Sequence, residues 1–239
     1  MSRSAPINAV KALRLQELAQ SRREFLARGG RVSRCEDCLL AQPQCICSER
    51  PLARQGLGVC LLYYKGEVYK PSNTGRLMAD VIEDTHAFLW NRTQPDDAML
   101  KLIRDPGYAP LLVFPYEYAE HTRHMRSDDV LNAYLGGRTP LLIFLDGTWR
   151  EARKMFRSHW LADIPVIAVE PQQASQYQLR EAAHDHQLGT AEVAVPLLQR
   201  LGQPEMAGAL DAWFALFRER YLAGKARHYP QTDSAQGED

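Results

Sequence analysis

An apolar run ends in an acidic turn in the middle of the chain, within PLLIFLDGTWREARKMFRSHW at residues 140–160. Leu141–Leu145 is too short for a helix and is typical of a buried strand in a parallel sheet. Asp146 follows this strand directly. Ligands of open α/β sheets bind outside the carboxyl ends of the strands, and a carboxylate placed there can accept a proton from a substrate. Asp146 is therefore the first candidate for chemistry.

A tight turn and a basic helix are predicted to follow Asp146. Gly147 permits the turn, and Thr148 with Glu151 three residues later is the signature of a capping box. Apolar side chains then recur near helical spacing, at Trp149, Ala152, Phe156 and Trp160. The opposite side is positively charged, with Arg150, Arg153, Lys154 and Arg157. Two interpretations stay open: a functional turn, or an ordinary strand-to-helix turn with a solvated basic face.

A second chemical pattern is a cysteine cluster near the N-terminus. Four of the five cysteines lie within CEDCLLAQPQCIC, at Cys35, Cys38, Cys45 and Cys47. Two close pairs joined by a short loop let four thiolates converge tetrahedrally on Zn²⁺ in a closed, structural site. Disulfides are the competing interpretation, but the odd Cys60 and the lack of a secretory signal favour a metal. An iron–sulfur cluster also uses four cysteines and stays an alternative.

Composition and charge narrow the class of protein. At 239 residues and 45% hydrophobic, the chain can bury the core of one large domain with a small appendage. Net charge is zero, but residues 1–34 hold eight Lys or Arg against two Glu, a local charge of +6. Such a surface suits a polyanionic partner, although a solvated helix is the alternative.

No run approaches the roughly 20 apolar residues of a membrane span. Without a signal peptide, we expect a cytoplasmic protein.

The remaining chain alternates between strand and helix patterns. Strands are predicted at Leu57–Tyr64, Ala87–Trp90, Pro110–Phe114, Leu141–Leu145 and Ile164–Glu170. Helices are predicted from Asn8 to Arg28 and at Arg76–Glu83, Asp96–Arg104, Asp128–Leu135, Thr190–Leu201 and Met206–Leu222, besides the helix after Thr148. Alternation of this kind predicts an α/β fold with a mainly parallel sheet covered by helices on both faces. We expect an N-terminal region at residues 1–56, a catalytic domain at 57–230 and a disordered tail at 231–239.

A set of residues at the predicted strand ends, most of them polar or basic, suggests a single cleft. They are Asn73, Thr74 and Arg76, then Phe114 and Pro115, then Asp146–Trp149, and finally Arg180 and Thr190. No glycine-rich dinucleotide motif or P-loop is present, and no G-x-S-x-G or H-E-x-x-H motif appears. His184 and His186 fit a surface loop better than a ligand pair.

Six segments of the chain together resemble the DTW-domain family, and specifically its bacterial tRNA-uridine aminocarboxypropyltransferases. They are the C-x-x-C and C-x-C cysteines, KPSNTGR at 70–76, VFP at 113–115, LDGTWREARKM at 145–155, LREA at 179–182 and GTAEV at 189–193. The resemblance implies transfer of the 3-amino-3-carboxypropyl group of S-adenosylmethionine to N3 of a uridine in the tRNA variable loop. It also implies a knotted, SPOUT-like cofactor-binding region, which general topology rules make improbable.

The reaction implied by the resemblance allows roles to be assigned to individual residues. Asp146 is the candidate general base, and stabilising the cationic cofactor or hydrogen bonding to the uracil are alternative roles for it. Thr148 would orient the turn, whereas Trp149 would wall a pocket, stack on the base, or simply anchor its helix in the core. The predicted cofactor contacts are Phe114, Pro115, Asp146, Gly147, Thr148, Trp149, Leu179, Leu188 and Thr190. The predicted tRNA contacts are Arg22, Arg23, Asn73, Thr74, Arg76, Arg150 and Arg153.

Two other functions remain at the level of sequence. A SPOUT-type RNA methyltransferase would use the same cofactor and fold. A non-catalytic, zinc-containing RNA-binding module would need only the basic helix and the cysteines, but it does not explain an acidic turn at a strand end. The expected partner is tRNA, with no membrane and no obligate protein partner evident.

Overall fold

The computed structural model describes residues 7–20, 32–169 and 189–226. Several predicted features lie outside these ranges. They are Arg22 and Arg23 with the rest of the predicted first helix, the last residue of the predicted fifth strand, Leu179, Arg180, His184, His186, Leu188, and the tail from residue 231.

Five parallel strands form one sheet in the order β2-β1-β4-β3-β5. The strands are β1 (Gly58–Tyr63), β2 (Thr85–Leu89), β3 (Tyr108–Val113), β4 (Thr139–Asp146) and β5 (Val166–Ile167). The predicted α/β class with a parallel sheet is confirmed. The apolar run around β4 makes it the central strand, whereas β5 pairs over only two residues, fewer than the sequence pattern indicated.

Seven α-helices are found within the described ranges. They are α1 (Ala9–Gln20), α2 (Gly75–Val81), α3 (Asp97–Ile103), α4 (Asp128–Leu135), α5 (Trp149–Phe156), α6 (Thr190–Arg200) and α7 (Pro204–Ala226). Asn8 caps α1 as predicted, since its Oδ1 accepts from the backbone N–H groups of Val10 and Lys11. Helix α5 ends at Phe156, and Trp160 lies in a separate 3₁₀ turn. The predicted extension of one apolar stripe to Trp160 is therefore wrong.

The alternation of side chains along the strands builds two cores, one on each face of the sheet. Val59, Leu61 and Tyr63 of β1 face α1, α2, α6, α7 and the cysteine motif; we call this the cysteine-motif face. Cys60 and Leu62 face the opposite side, which packs against α3 and α5 and which we call the α5 face. The sheet is thus buried on both faces, as its unbroken apolar strands predicted.

The predicted knot stays a prediction, because the connection from β5 to α6 includes residues 170–188, outside the described ranges. Within the described residues, no helix combines the length and the apolar character needed to cross a bilayer.

Candidate active site

Asp146 lies in the interior at the carboxyl end of β4, with only 6% of its surface exposed. Asn73 Nδ2 donates a hydrogen bond to its Oδ1 at 2.7 Å, and Thr190 Oγ1 donates one to its Oδ2 at 3.0 Å. Burial raises the pKa of the Asp146 carboxyl to about 6, because charge is disfavoured in a poorly solvated site. The two hydrogen bonds act in the opposite direction and stabilise the ionised form.

The orientation of the Asn73 amide is fixed by the hydrogen bonds that its oxygen accepts. Its Oδ1 accepts from the Gly75 backbone N–H at 3.1 Å and from the Tyr63 hydroxyl at 3.3 Å. Tyr63 is fully buried and is the register partner of Asp146 in the neighbouring strand. Because the oxygen of Asn73 is occupied in this way, its NH₂ group must face Asp146.

Two glycines allow the helices to approach this carboxylate closely. A Cβ atom on Gly75 would lie 2.5 Å from the Tyr63 hydroxyl and 3.1 Å from Asp146 Oδ2. A Cβ on Gly189 would lie 3.0 Å from Thr74 Oγ1, which accepts from the Ala191 backbone N–H at 3.2 Å. The start of α6 is therefore held against the start of α2, and this brings Thr190 to Asp146. The N-terminal end of α6 also favours a negative charge there.

The turn after β4 has the predicted cap. Glu151 Oε2 accepts from the Thr148 backbone N–H at 2.8 Å and from the Thr148 hydroxyl at 2.7 Å, and the capping box is present. A Cβ atom on Gly147 would lie 3.1 Å from the Glu151 Cβ and 3.2 Å from the Tyr64 Cβ. Thr148 thus shapes the turn, while its hydroxyl is committed to Glu151 and not to Asp146.

Beside this turn lies an aromatic cluster around Trp149. Trp149 is 40% exposed and stacks on Phe114, with ring centroids 5.4 Å apart and an interplanar angle of 8°. Tyr118 meets both rings edge-on, and Phe156 stacks on Phe114 with ring centroids 4.4 Å apart. Trp149 is therefore not a core anchor, and it offers a planar surface to solvent at the start of α5, three residues after Asp146.

The residues predicted to contact phosphates divide into two groups. Arg76 is 5% exposed, donates to the Pro71 carbonyl at 2.9 Å and lies over the Phe217 ring. Burial lowers the pKa of its guanidinium to about 10. Asn73 and Thr74 are also buried. The structure thus places these three residues in the interior, where Asn73 contacts Asp146, Thr74 contacts the start of α6 and Arg76 lies against Phe217 of α7.

Arg150 and Arg153 instead reach the surface on α5. Together with Arg92, Lys154, Arg157 and Ser158 they line an open cleft of about 390 Å³. We call these five cations and Ser158 the basic cleft.

The four clustered cysteines have the geometry of a single metal site. Their Sγ atoms lie within 4.8 Å of one another, with Cys35 and Cys47 at 3.6 Å and Cys38 and Cys45 at 3.9 Å. Zn–S bonds of about 2.3 Å in a tetrahedron place neighbouring sulfurs about 3.8 Å apart. None of the five cysteines forms a disulfide. An iron–sulfur cluster would hold the sulfurs further apart, because several atoms lie between them. The set fits one tetrahedral ion such as zinc.

The cysteine motif is tied to the domain through Asp80 of α2. Its Oδ1 accepts from Asn8 at 2.8 Å and pairs with Arg50 at 3.3 Å, while its Oδ2 accepts from Trp213 Nε1 at 3.1 Å. Arg50 closely follows Cys47, the last cysteine of the motif, in sequence. One buried carboxylate thus connects the motif with α1, α2 and α7.

The comparison with known families agrees with the sequence motifs. A family model described as the DTW domain matches residues 32–222. The chain belongs to the DTW-domain family. This membership is consistent with a tRNA-modifying enzyme. No solved structure matches the chain.

The DTW domain brings together many of the residues selected from sequence and adds others. Asp146, Gly147, Thr148, Trp149, Phe114, Pro115 and Thr190 lie at the carboxyl edge of the sheet or at the start of α6. Tyr63, Gly75, Tyr118 and Arg92 were not selected. Tyr118 follows Phe114 within FPYEY, an aromatic repeat at a strand end that was available as a signal. Tyr63 is the last residue of an apolar strand and had no such signal.

Proposed function

We propose that this DTW-domain protein transfers the 3-amino-3-carboxypropyl group of S-adenosylmethionine to N3 of a uridine in the variable loop of tRNA. The observation that carries the proposal is Asp146. It is a buried carboxylate at the end of the central strand, oriented by Asn73 and Thr190, with a pKa raised to about 6. The reaction itself is taken from the resemblance of the six sequence segments.

The raised pKa suits Asp146 to the role of general base. Uridine N3 carries a proton at neutral pH, which must leave as the new bond forms. A carboxylate with a pKa of about 6 is ionised at pH 7 but holds a proton better than an ordinary aspartate, whose pKa is 3.8. Each oxygen accepts one hydrogen bond in the structure and retains a second lone pair for the N3 proton.

The reaction balances without a metal or an external oxidant. S-adenosylmethionine supplies a carbon bonded to a sulfonium, and attack by N3 breaks that carbon–sulfur bond and leaves neutral 5′-methylthioadenosine. Asp146 takes the N3 proton. Asn73 and Thr190 hold the carboxylate in one orientation, which contributes by positioning.

Trp149 is 40% exposed, stacks on the buried Phe114 and presents a planar surface at the start of α5, on the turn that follows Asp146. Stacking on such a surface is a common way for proteins to hold an unpaired RNA base, and an adenine ring or a sulfonium cation also binds aromatic faces. We assign this surface to the uracil or to the cofactor. Leu179 and Leu188 remain proposed cofactor contacts outside the described residues.

The zinc site has a separate role in this proposal. Four thiolates fill the coordination sphere of Zn²⁺, so the ion has no open position for water or substrate. It would fix the cysteine motif, and through Arg50 and Asp80 it would support α1 and α2. The short helix α2 begins beside Asn73, the residue that orients Asp146.

Mass spectrometry of nucleosides tests the proposal. The purified, metal-replete protein is incubated with S-adenosylmethionine and unmodified tRNA, and the tRNA is digested. We expect a uridine that has gained an aminocarboxypropyl group. A methylated nucleoside would instead make the protein a methyltransferase, and no product from a protein that still binds tRNA would favour a non-catalytic RNA-binding module.

A further inference from the structure

The basic cleft lies between α5 and the residues that follow β2. Arg150, Arg153, Lys154 and Arg157 come from α5 and its last turn, and Arg92 comes from the loop after β2. Trp90 Nε1 donates to Ser158 Oγ at 2.8 Å and joins the two walls. The cleft is therefore built by elements that are held together, and is more than the outer side of one helix.

Positive charge in the basic cleft is not balanced by a paired carboxylate among the described residues. None of the five cations makes an ion pair with a carboxylate of residues 7–20, 32–169 or 189–226. Lys154 lies over the rings of Tyr64 and Trp90, at 5.5 and 5.4 Å from their centroids. Five neighbouring cations repel one another unless an external polyanion neutralises them.

Cations on the cysteine-motif face are used differently. Lys11 pairs with Asp37, Arg14 donates to the Glu36 carbonyl, and Arg50 pairs with Asp80. Their charges hold α1 and the cysteine motif in place. The five cations of the basic cleft, by contrast, have no carboxylate partner among the described residues and are available to a ligand.

The cleft also adjoins the candidate active site. Tyr64 and Trp90 directly follow β1 and β2, and their rings stack at 5.6 Å. Helix α5 starts at Trp149, three residues after Asp146. All of these positions are at the carboxyl edge of the sheet. A chain lying in the cleft would therefore pass beside the turn that carries Asp146.

We infer that the basic cleft binds the phosphate backbone of the RNA substrate, so that RNA approaches from the α5 face and the cysteine motif on the other face does not contact it. This inference rests on the proposed function for the identity of the polyanion as tRNA. Arginine is suited to the role, because its planar guanidinium matches two phosphate oxygens at once. The stacked, half-buried rings of Tyr64 and Trp90 beneath Lys154 also suit a nucleic acid better than an acidic peptide.

Salt-dependent binding of unmodified tRNA tests the inference, measured by fluorescence anisotropy without S-adenosylmethionine. The variant Arg150→Gln with Arg157→Gln removes two exposed charges of the cleft. Each lost phosphate contact lowers the slope of log Kd against log salt by about 0.7 to 0.9. We expect the slope to fall by about 1.5, and Kd at low salt to weaken on the order of tenfold. Unfolding midpoints should match those of the wild-type protein.

The matched control is Lys101→Gln with Arg104→Gln, two exposed cations at the end of α3, before the start of β3. It should leave the slope and Kd unchanged. An unchanged slope in the cleft variant, or an equal loss in the control, would overturn the inference. Polyglutamate of matched charge competing as well as tRNA would overturn the assignment to RNA. Because no turnover is involved, failure of the proposed reaction would leave this result intact, and failure of the cleft would leave the modified nucleoside detectable.

Discussion

Replacing Asp146 with asparagine should stabilise the protein at neutral pH while removing its activity. The amide has the same shape as the carboxylate, and its oxygen can still accept from Asn73. The Thr190 hydroxyl can rotate and accept from the new NH₂ group, so both contacts survive. What disappears is the ionised carboxylate in a site that is only 6% exposed.

The size of the effect follows from the raised pKa. A shift from 3.8 to about 6 corresponds to about 3 kcal/mol between the protonation states. Because the folded-state pKa is raised, the protonated form favours folding. The contribution of the Asp146 carboxyl to the free energy of unfolding is therefore at its full value below pH 3.8 and is lost as the pH rises through about 6. The stability difference between Asp146→Asn and wild type should therefore grow by about 2 kcal/mol from pH 4.5 to pH 8.

Urea unfolding followed by tryptophan fluorescence measures this difference at each pH. Other titrating groups are shared by both proteins and cancel. Ile143→Val on the same strand is a suitable control, because it removes one buried methylene and no titratable group. Its cost of about 1 kcal/mol should not vary with pH. If the difference between Asp146→Asn and wild type is also constant with pH, Asp146 does not carry a raised pKa and the argument for a tuned base fails.

Three further predictions follow from the site and the cysteine motif. Elemental analysis should give one zinc per chain, and Cys38→Ala should lose the metal and lower Tm; iron in its place, or metal-free protein with an unchanged Tm, would contradict the assignment. Trp149→Ala should lower kcat/KM on the order of tenfold with little change in stability, because the ring is 40% exposed, and Trp149→Phe should recover part of the loss; equal kinetics for all three proteins would remove the stacking role. Gly75→Ala should destabilise by about 1–3 kcal/mol in urea, since its Cβ would lie 2.5 Å from the Tyr63 hydroxyl, and wild-type stability would show that α2 can shift freely.

Local sequence patterns predicted the elements that position Asp146. The apolar run before it, the glycine after it and the Thr148–Glu151 pair are all within a few residues, and each has the predicted structure. Asn8 as a helix cap and the four converging cysteines are local signals of the same kind. Short-range stereochemistry determines these features, so they can be read without knowledge of the fold.

Features that depend on distant packing could not be predicted in this way. Asn73 and Asp146 are 73 positions apart, and nothing in the segment at 70–76 shows that its asparagine faces a carboxylate. Arginine is a residue type that often contacts phosphate, but the guanidinium of Arg76 lies over the ring of Phe217 in α7. Arg92 joins the basic cleft only because β2 lies beside β1, which in turn lies beside β4. Which side chains are buried, and which distant residues lie side by side, is determined by the tertiary structure.

The identity of the sulfur-containing co-product tests the central claim most directly. Wild-type protein and Asp146→Asn are incubated with S-adenosylmethionine and unmodified tRNA, and the small-molecule fraction is analysed by mass spectrometry. We predict that the wild-type protein releases 5′-methylthioadenosine in step with modified uridine, and that Asp146→Asn releases none while still binding tRNA. Release of S-adenosylhomocysteine by the wild type, or undiminished turnover by Asp146→Asn, would contradict the proposed reaction or the role of Asp146.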